Sequence, residues 1–244
     1  NLSVALARTG ASVGLLDADI YGPNVPTMMG VDELPPMRGS KITPATAFEV
    51  KLMSLGFLIP AGQAVIWRGP LLHSAIRQFL YDVDWGELDY LIVDLPPGTG
   101  DVQLSLAQSV PLSGGVIVTL PQAVSLEDAS RGLWMFKELN VPILGVIENM
   151  SYLELPDGTV MDIFGKGGGQ KLADENNTLF LGSIPIDPAV RISSDQGVPV
   201  IISNPDSAPA IAFCQLAEKL AAQLSIAAYN TSEVVKSKLQ DNNG

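Results

Sequence analysis

Cysteine is almost missing from this 244-residue sequence: Cys214 is the only one. A disulfide within the chain is thereby excluded, and a reducing, cytoplasmic setting is expected. No metal or iron–sulfur site can be assembled from several cysteines of one chain. Basic residues are also scarce, 14 Lys and Arg against 26 Asp and Glu, for a net charge of −12. That deficit argues against a nucleic-acid-binding face and against adhesion to an anionic membrane. No apolar run approaches the roughly 18 residues of a membrane span. The opening NLSVALARTG lacks the basic, apolar and cleavage-site layout of a signal peptide. There is no GxxxxGK[ST] phosphate loop either. Aromatic residues make up only 6%, yet hydrophobic residues reach 47%, enough for a sizeable core and too many for a disordered chain.

The chain has no initiator Met, and its first residues read as the end of an amphipathic helix. Leu2, Ala5 and Leu6 lie at helical spacing and Gly10 is the stop signal. A helix that opens at residue 1 without a cap is expected to have lost its beginning. Beyond it the pattern alternates strand and helix. Strands are expected at 12–18, 51–58, 90–95, 114–120, 142–149 and 178–185. Helices are expected at 69–81, 102–109, 126–139, 170–174 and 208–224. Apolar strands separated by helices of this length imply βαβ units, hence an α/β fold: a doubly wound, mainly parallel sheet flanked by helices. One domain is expected over 1–224, with no linker marking a second, followed by a frayed polar tail over 225–244.

Ligands in such sheets bind beyond the carboxyl ends of the strands, and three of the expected strands end there in polar residues: Asp17 with Asp19, Asp94, and Asn149. The strongest segment is DYLIVDLPPGTGD (89–101). Its apolar strand delivers Asp94 to a tight loop shaped by Pro96, Pro97, Gly98 and Gly100, and Asp101 is placed to cap the next helix. An acid at such a tip suits Mg²⁺ held partly through water beside nucleotide phosphates. Gly98 follows Asp94 at the DxxG spacing of a loop whose N–H senses a γ-phosphate. In LLDADIYGPN (15–24) two acids spaced by two share one side of an extended strand end. One can support Mg²⁺ and its waters; the other can position an attacking water. The glycine cluster GKGGGQK (165–171) lacks the spacing of a phosphate cradle and reads as a flexible loop before a helix.

Taken together, LLDADIYGPNVPTMMG, VIWRGPLL, DYLIVDLPPGTGDVQL, LPQAVSLEDASRG, ENMSY, DIFGKGGG and IPIDPAVR resemble the Mrp family of iron–sulfur cluster carrier ATPases, a branch of the MinD/ParA-like P-loop NTPases. The likeness runs in order from residue 1 to about 224. It places the family's phosphate loop, GKGGVGKS, just upstream of the helix that 1–7 matches. The fold is therefore expected to lack its first strand and phosphate loop, and this segment alone to be inactive.

What the resemblance implies is ATP hydrolysis with Mg²⁺ by a homodimer serving iron–sulfur apo-proteins or scaffold proteins, with no nucleic acid and no membrane. It makes Asp19 the catalytic acid that orients water. Asp17 and Asp94 organise Mg²⁺ through water, Gly98 is the γ-phosphate glycine, Asn149 meets the adenine edge, and Pro185 to Asp187 form the loop against the base.

The family also bridges a [4Fe–4S] cluster with a CxxC pair shortly after ENMSY. That pair is absent, since Tyr152 is followed by Leu-Glu-Leu-Pro-Asp-Gly and no Cys lies before Asp162. A cluster here needs other ligands or a partner's thiolates. Cys214 reads as a small buried hydrophobe and His73 as structural. Arg68 and Arg191 read as contacts to phosphate or to an acidic partner, or as surface ion pairs, and Met28, Met29 and Met37 as loop packing in preference to a soft exposed surface for a partner. The competing reading is a MinD/ParA-type ATPase that regulates a partner without any cluster. A purely structural nucleotide binder is argued against by Asp19 and Asp94.

Overall fold

Val13–Asp17 is five consecutive buried residues, as expected of a strand covered on both faces. It lies inside a four-stranded sheet. The computed structural model describes residues 1–19, 22–37, 39–58, 69–96, 98 and 100–241, without the side chains of 69, 70, 101 and 230–241. Tyr21, Pro97 and Arg68 of the sequence reading lie outside the described residues.

By chain contacts the protein divides into two compact units. One comprises Asn1–Val110 with Pro185–Cys214, the other Pro111–Ile184 with Gln215–Gly244. The first begins with α1 (Leu2–Ala7), β1 (Val13–Asp17), α2 (Val25–Met28), β2 (Ala45–Ala47), β3 (Val50–Ser54), α3 (Gly69–Tyr81), β4 (Tyr90–Asp94) and α4 (Asp101–Ser109). Its sheet order is β2-β3-β1-β4. β3 and β4 run parallel to β1, and β2 is antiparallel to β3. Leu6, Leu16, Leu52, Met53, Ile76 and Phe79 are almost wholly buried in this unit, each removing about 1.5–3 kcal/mol worth of apolar surface from water.

The second unit holds β5 (Gly115–Thr119), α5 (Ala123–Glu138), β6 (Ile143–Glu148), β7 (Leu153–Glu154), β8 (Val160–Met161), α6 (Gly168–Glu175) and β9 (Phe180–Ser183). Its sheet order is β5-β6-β9, all parallel. α5 packs on β5 and α6 on β6. α7 (Pro188–Asp195) and α8 (Val200–Ser203) belong to the first unit, and α9 (Ala208–Asp241) begins there and continues in the second.

The expected α/β class with mainly parallel strands is what is found. Most element ends differ by one to three residues from expectation. Two differences are larger. The strand expected over 51–58 stops at Ser54, because Leu55–Leu58 turns as a 3-10 helix and the Gly56 N–H is taken by the Ser54 hydroxyl. The last helix does not close at Leu224 but runs to Asp241, since no Gly or Pro between 225 and 241 stops it. Gly165–Gly167 of the glycine cluster lie ahead of α6, which starts at Gly168, two residues before the expected helix.

Acids at the strand tips

β1 and β4 lie side by side with Asp17 opposite Asp94, and the Ala18 N–H donates to the Asp94 carbonyl at 2.9 Å. On the other flank Asp17 faces Ser54 of β3. The Asp17 side chain is completely buried. Its Oδ2 accepts from Ser54 Oγ at 2.8 Å and its Oδ1 from the Asp19 N–H at 3.1 Å, and the Val25 N–H bonds to it as well. Burial pushes the Asp17 carboxyl up to about 6. The bonds from Ser54, Asp19 and Val25 pull it down, and the charge of Asp94 adds to the rise.

Asp19 is half-buried and its Oδ1 accepts from the Gly22 N–H at 3.3 Å. Asp94 is exposed at its strand tip. Protein packed beneath that carboxyl desolvates it enough to hold it above the usual carboxylate range, and the negative charge of Asp19 raises it further. Asp17 and Asp94 thus lie opposite each other, and Asp19 is near enough for its charge to act on Asp94. Their mutual repulsion favours a cation. No group of three or more His, Cys, Asp or Glu among the described residues forms a ready metal cage.

Beyond Asp94 the chain turns through Gly98, exposed and at φ +94°, a conformation that favours glycine. α4 begins at Asp101 with Gly100 as its N-cap. The Asp101 capping expected from sequence is instead met from Gln103, whose Oε1 accepts the Gly100 N–H at 3.0 Å. Pro185 is buried. Asp187 caps α7, its Oδ1 accepting from the Ala189 N–H at 2.7 Å, so its carboxylate already has a structural task.

Asn149, in the second unit, is half-buried at the end of β6; its Oδ1 accepts from the Met150 N–H at 3.0 Å. Beside it in sequence, Glu148 is buried at 2% exposure. Glu148 Oε2 accepts the Gly169 N–H at 2.6 Å and its Oε1 accepts from Ser151 Oγ. This internal carboxylate occupies the N-terminus of α6, where an anion would otherwise be drawn. The glycine cluster is therefore no phosphate cradle, in agreement with the sequence reading.

Sequence reasoning passed over Ser54, Gln103 and Glu148. Only Gln103 carried a signal, a Gln three residues past a glycine at a helix start. Of the other candidates, Arg191 pairs with Asp195 at 2.8 Å in an exposed i,i+4 contact, the surface alternative considered above. Met29 is buried, but Met28 and Met37 are exposed, so packing accounts for one of the three. His73 and Cys214 are half-buried. The segment after ENMSY, which lacks CxxC, forms the β7–β8 hairpin. One cysteine cannot hold a [4Fe–4S] cluster, so the residues present do not fit a cluster bound by this chain alone.

Parallel strands with helices between them and acids at their carboxyl ends define an α/β nucleotide-site architecture. Comparison with known proteins makes this specific. The chain belongs to the family described as "ParA: NUBPL iron-transfer P-loop NTPase", whose model matches residues 1–221. It is 53% identical over 238 residues to an iron-sulfur cluster carrier protein of Synechocystis sp., covering 93% of this chain and 67% of that one. It is 44% identical over 227 residues to the iron-sulfur cluster carrier protein of Escherichia coli K12, covering 92% and 62%. The chain thus spans about two thirds of the length of these relatives.

Among solved structures, it resembles a nucleotide-binding protein of Archaeoglobus fulgidus in complex with ADP. The TM-score is 0.70 at 36% identity, over 80% of this chain and 78% of that one. The septum site-determining protein MinD of Pyrococcus horikoshii, complexed with Mg-ADP, shares the fold at TM-score 0.67 and 22% identity, covering 93% and 90%. No helix among the described residues is long and apolar enough to cross a membrane.

Proposed function

We propose that this chain supplies the acids of a Mg²⁺–ATP-hydrolysing site in a cytoplasmic, homodimeric iron–sulfur cluster carrier, the segment by itself being inactive. The observation that carries the reading is the meeting of Asp17, Asp19 and Asp94 at the ends of adjacent parallel strands. The identity to named cluster carriers supports the cargo. Asp94, exposed at its tip, holds Mg²⁺ through water. Bound Mg²⁺ neutralises charge on the phosphates. Asp19 orients the water that attacks the γ-phosphorus as ADP leaves. Asp17 is closed to solvent, so it organises the Mg²⁺ site from beneath, through the Asp19 and Val25 N–H groups it anchors. Gly98 offers its N–H to the γ-phosphate, and Pro185 to Asp187 pass against the base.

The test is ATP turnover in the full-length natural protein. Asp19→Asn is expected to cut kcat at least about 100-fold and to leave nucleotide affinity nearly unchanged. Asp94→Asn is expected to weaken Mg²⁺-dependent nucleotide binding. Unchanged turnover in both variants rejects the reading. Lack of the CxxC pair favours a second possibility, an ATPase that regulates a partner without cargo. Anaerobic reconstitution with an iron count decides: a cluster held between two chains or with a partner's thiolates supports the carrier, and no bound iron supports the regulator.

A further inference from the structure

Gln103 is 3% exposed in the first turn of α4, and its amide makes three hydrogen bonds. Oε1 accepts from the Gly100 N–H at 3.0 Å, and Nε2 donates to the Pro96 carbonyl at 2.9 Å and to the Gly98 carbonyl at 2.9 Å. Helix capping explains the first, because a Gln at the third helical position commonly satisfies the N–H of the N-cap. It does not explain the other two, which reach back out of the helix into the loop.

Both Nε2 hydrogens are consumed, one on each carbonyl, and the oxygen is fixed by an N–H donor. Only one orientation of the amide satisfies all three contacts. A carboxylate there would set an acceptor against two carbonyls, and Asn is one methylene shorter. The two carbonyls also flank a particular group. The Pro96 and Gly98 carbonyls belong to the peptide units on either side of the one that carries the Gly98 N–H. One buried side chain therefore clamps both neighbours of that N–H, while Gly98 itself sits at φ +94°.

We propose that Gln103 is a positioning residue that presets the Gly98 N–H for the terminal phosphate of a nucleoside triphosphate, and so sets the preference for triphosphate over diphosphate. This rests on the role given above to Gly98. A preset donor binds without the cost of ordering the loop when ligand arrives. A diphosphate has no group at that point and gains nothing from it.

The experiment measures Mg²⁺-dependent binding of ADP and of a non-hydrolysable ATP analogue by calorimetry in the full-length natural protein. Gln103→Met keeps side-chain length and bulk without the hydrogen bonds. It is expected to lower the ratio of analogue to ADP affinity about tenfold, the loss that goes with two hydrogen bonds, with ADP affinity within about twofold of the parent. Gln103→Glu is expected to lose more. An equal loss for both nucleotides, or no change, overturns the proposal. Gly98→Ala separates the two layers. If it lowers the ratio and Gln103→Met does not, only the proposal for Gln103 fails; if neither does, the role of Gly98 fails with it. Amide hydrogen exchange on the parent protein needs no variant. The Gly98 amide should slow with the analogue and not with ADP, while the Gly100 amide, held by Gln103 throughout, should be protected alike with either. Slowing of Gly98 by both nucleotides equally overturns the proposal.

Discussion

The Ser54 hydroxyl donates to Asp17 Oδ2 at 2.8 Å across the register of β3 and β1, with neither side chain exposed to solvent. The same hydroxyl oxygen accepts the Gly56 N–H at 2.9 Å. One small side chain thus ties the buried acid to the turn that ends β3. Ser54→Ala would leave a buried carboxylate oxygen and a backbone N–H without their partner, an expected loss of about 1–3 kcal/mol in unfolding free energy. Denaturant unfolding of the single variants and of the double variant with Asp17→Asn checks the pairing. In the background of the Asp17→Asn substitution the serine change should cost clearly less. Equal costs in both backgrounds would show that the hydroxyl acts on Gly56 alone.

Asp17 also makes stability depend on pH. Its ordinary value of 3.8 rises to about 6 in the folded chain, burial being the main cause. Between those values the folded chain holds a proton that the unfolded chain has released. Stability from this group therefore falls as pH climbs from about 4 to about 6, and it is regained on acidification. Asp17→Asn removes the effect. Without nucleotide or Mg²⁺, the variant should be more stable than the parent at pH 7 by up to about 3 kcal/mol, at about 1.4 kcal/mol per pKa unit. The gap should close towards pH 4. A gap that stays constant from pH 4 to pH 7, measured by urea unfolding, rules this out. The same substitution should weaken Mg²⁺-dependent nucleotide binding, a case of stability gained where function is lost.

The acids were legible because their signal is local. An apolar run that ends in Asp announces a buried parallel strand and its tip, and both β1 and β4 end on the aspartate the sequence marked. α3 was legible end to end, since its apolar residues keep helical spacing over the whole of Gly69–Tyr81. Ser54 was not: its partner is 37 residues away, and only the register of β3 on β1 brings them together. α7 was readable and overlooked, because Asp187 followed by Pro188 is a helix-start pair that the likeness of IPIDPAVR to a base-contacting loop concealed. The glycine cluster misled through composition. Gly168 and Gly169 pack against Pro121 and Glu148 inside α6, while Gly165 and Gly167 take a positive φ ahead of it.

Glu148 offers a separation of shape from charge. Its two oxygens accept from Gly169 and Ser151, and its charge lies at the N-terminus of α6. Glu148→Gln can keep both contacts, because an amide oxygen accepts the Gly169 N–H and the Ser151 hydroxyl can reverse to accept. The expected loss is about 1 kcal/mol. Glu148→Ala leaves both donors unsatisfied and opens a cavity, for about 2–4 kcal/mol. Thermal and denaturant unfolding should rank the parent above Glu148→Gln, and Glu148→Gln above Glu148→Ala. An alanine variant within about 0.5 kcal/mol of the parent, the scatter of a neutral substitution, would mean that α6 is held by its packing on β6 alone.

Gly30 and Gly197 touch backbone to backbone where α2 and α7 end, at φ +62° and +72°. A Cβ on Gly197 would lie 2.6 Å from the Gly30 Cα and 2.9 Å from its N. Neither atom is the end of a flexible side chain, so the two segments must separate to admit a methyl group. Gly197→Ala therefore combines a left-handed backbone that alanine disfavours with a direct clash, and about 2–4 kcal/mol of stability should be lost. The contact also joins the segment that follows Asp19 to the helix that follows Asp187. Separation there should disturb nucleotide handling beyond what lost stability explains. Turnover of the full-length natural protein, measured well below the variant's melting temperature, is the check. A folded Gly197→Ala protein with parental kcat and KM would show that the contact serves packing only. A raised KM for ATP would place α7 among the elements that hold the nucleotide site in shape.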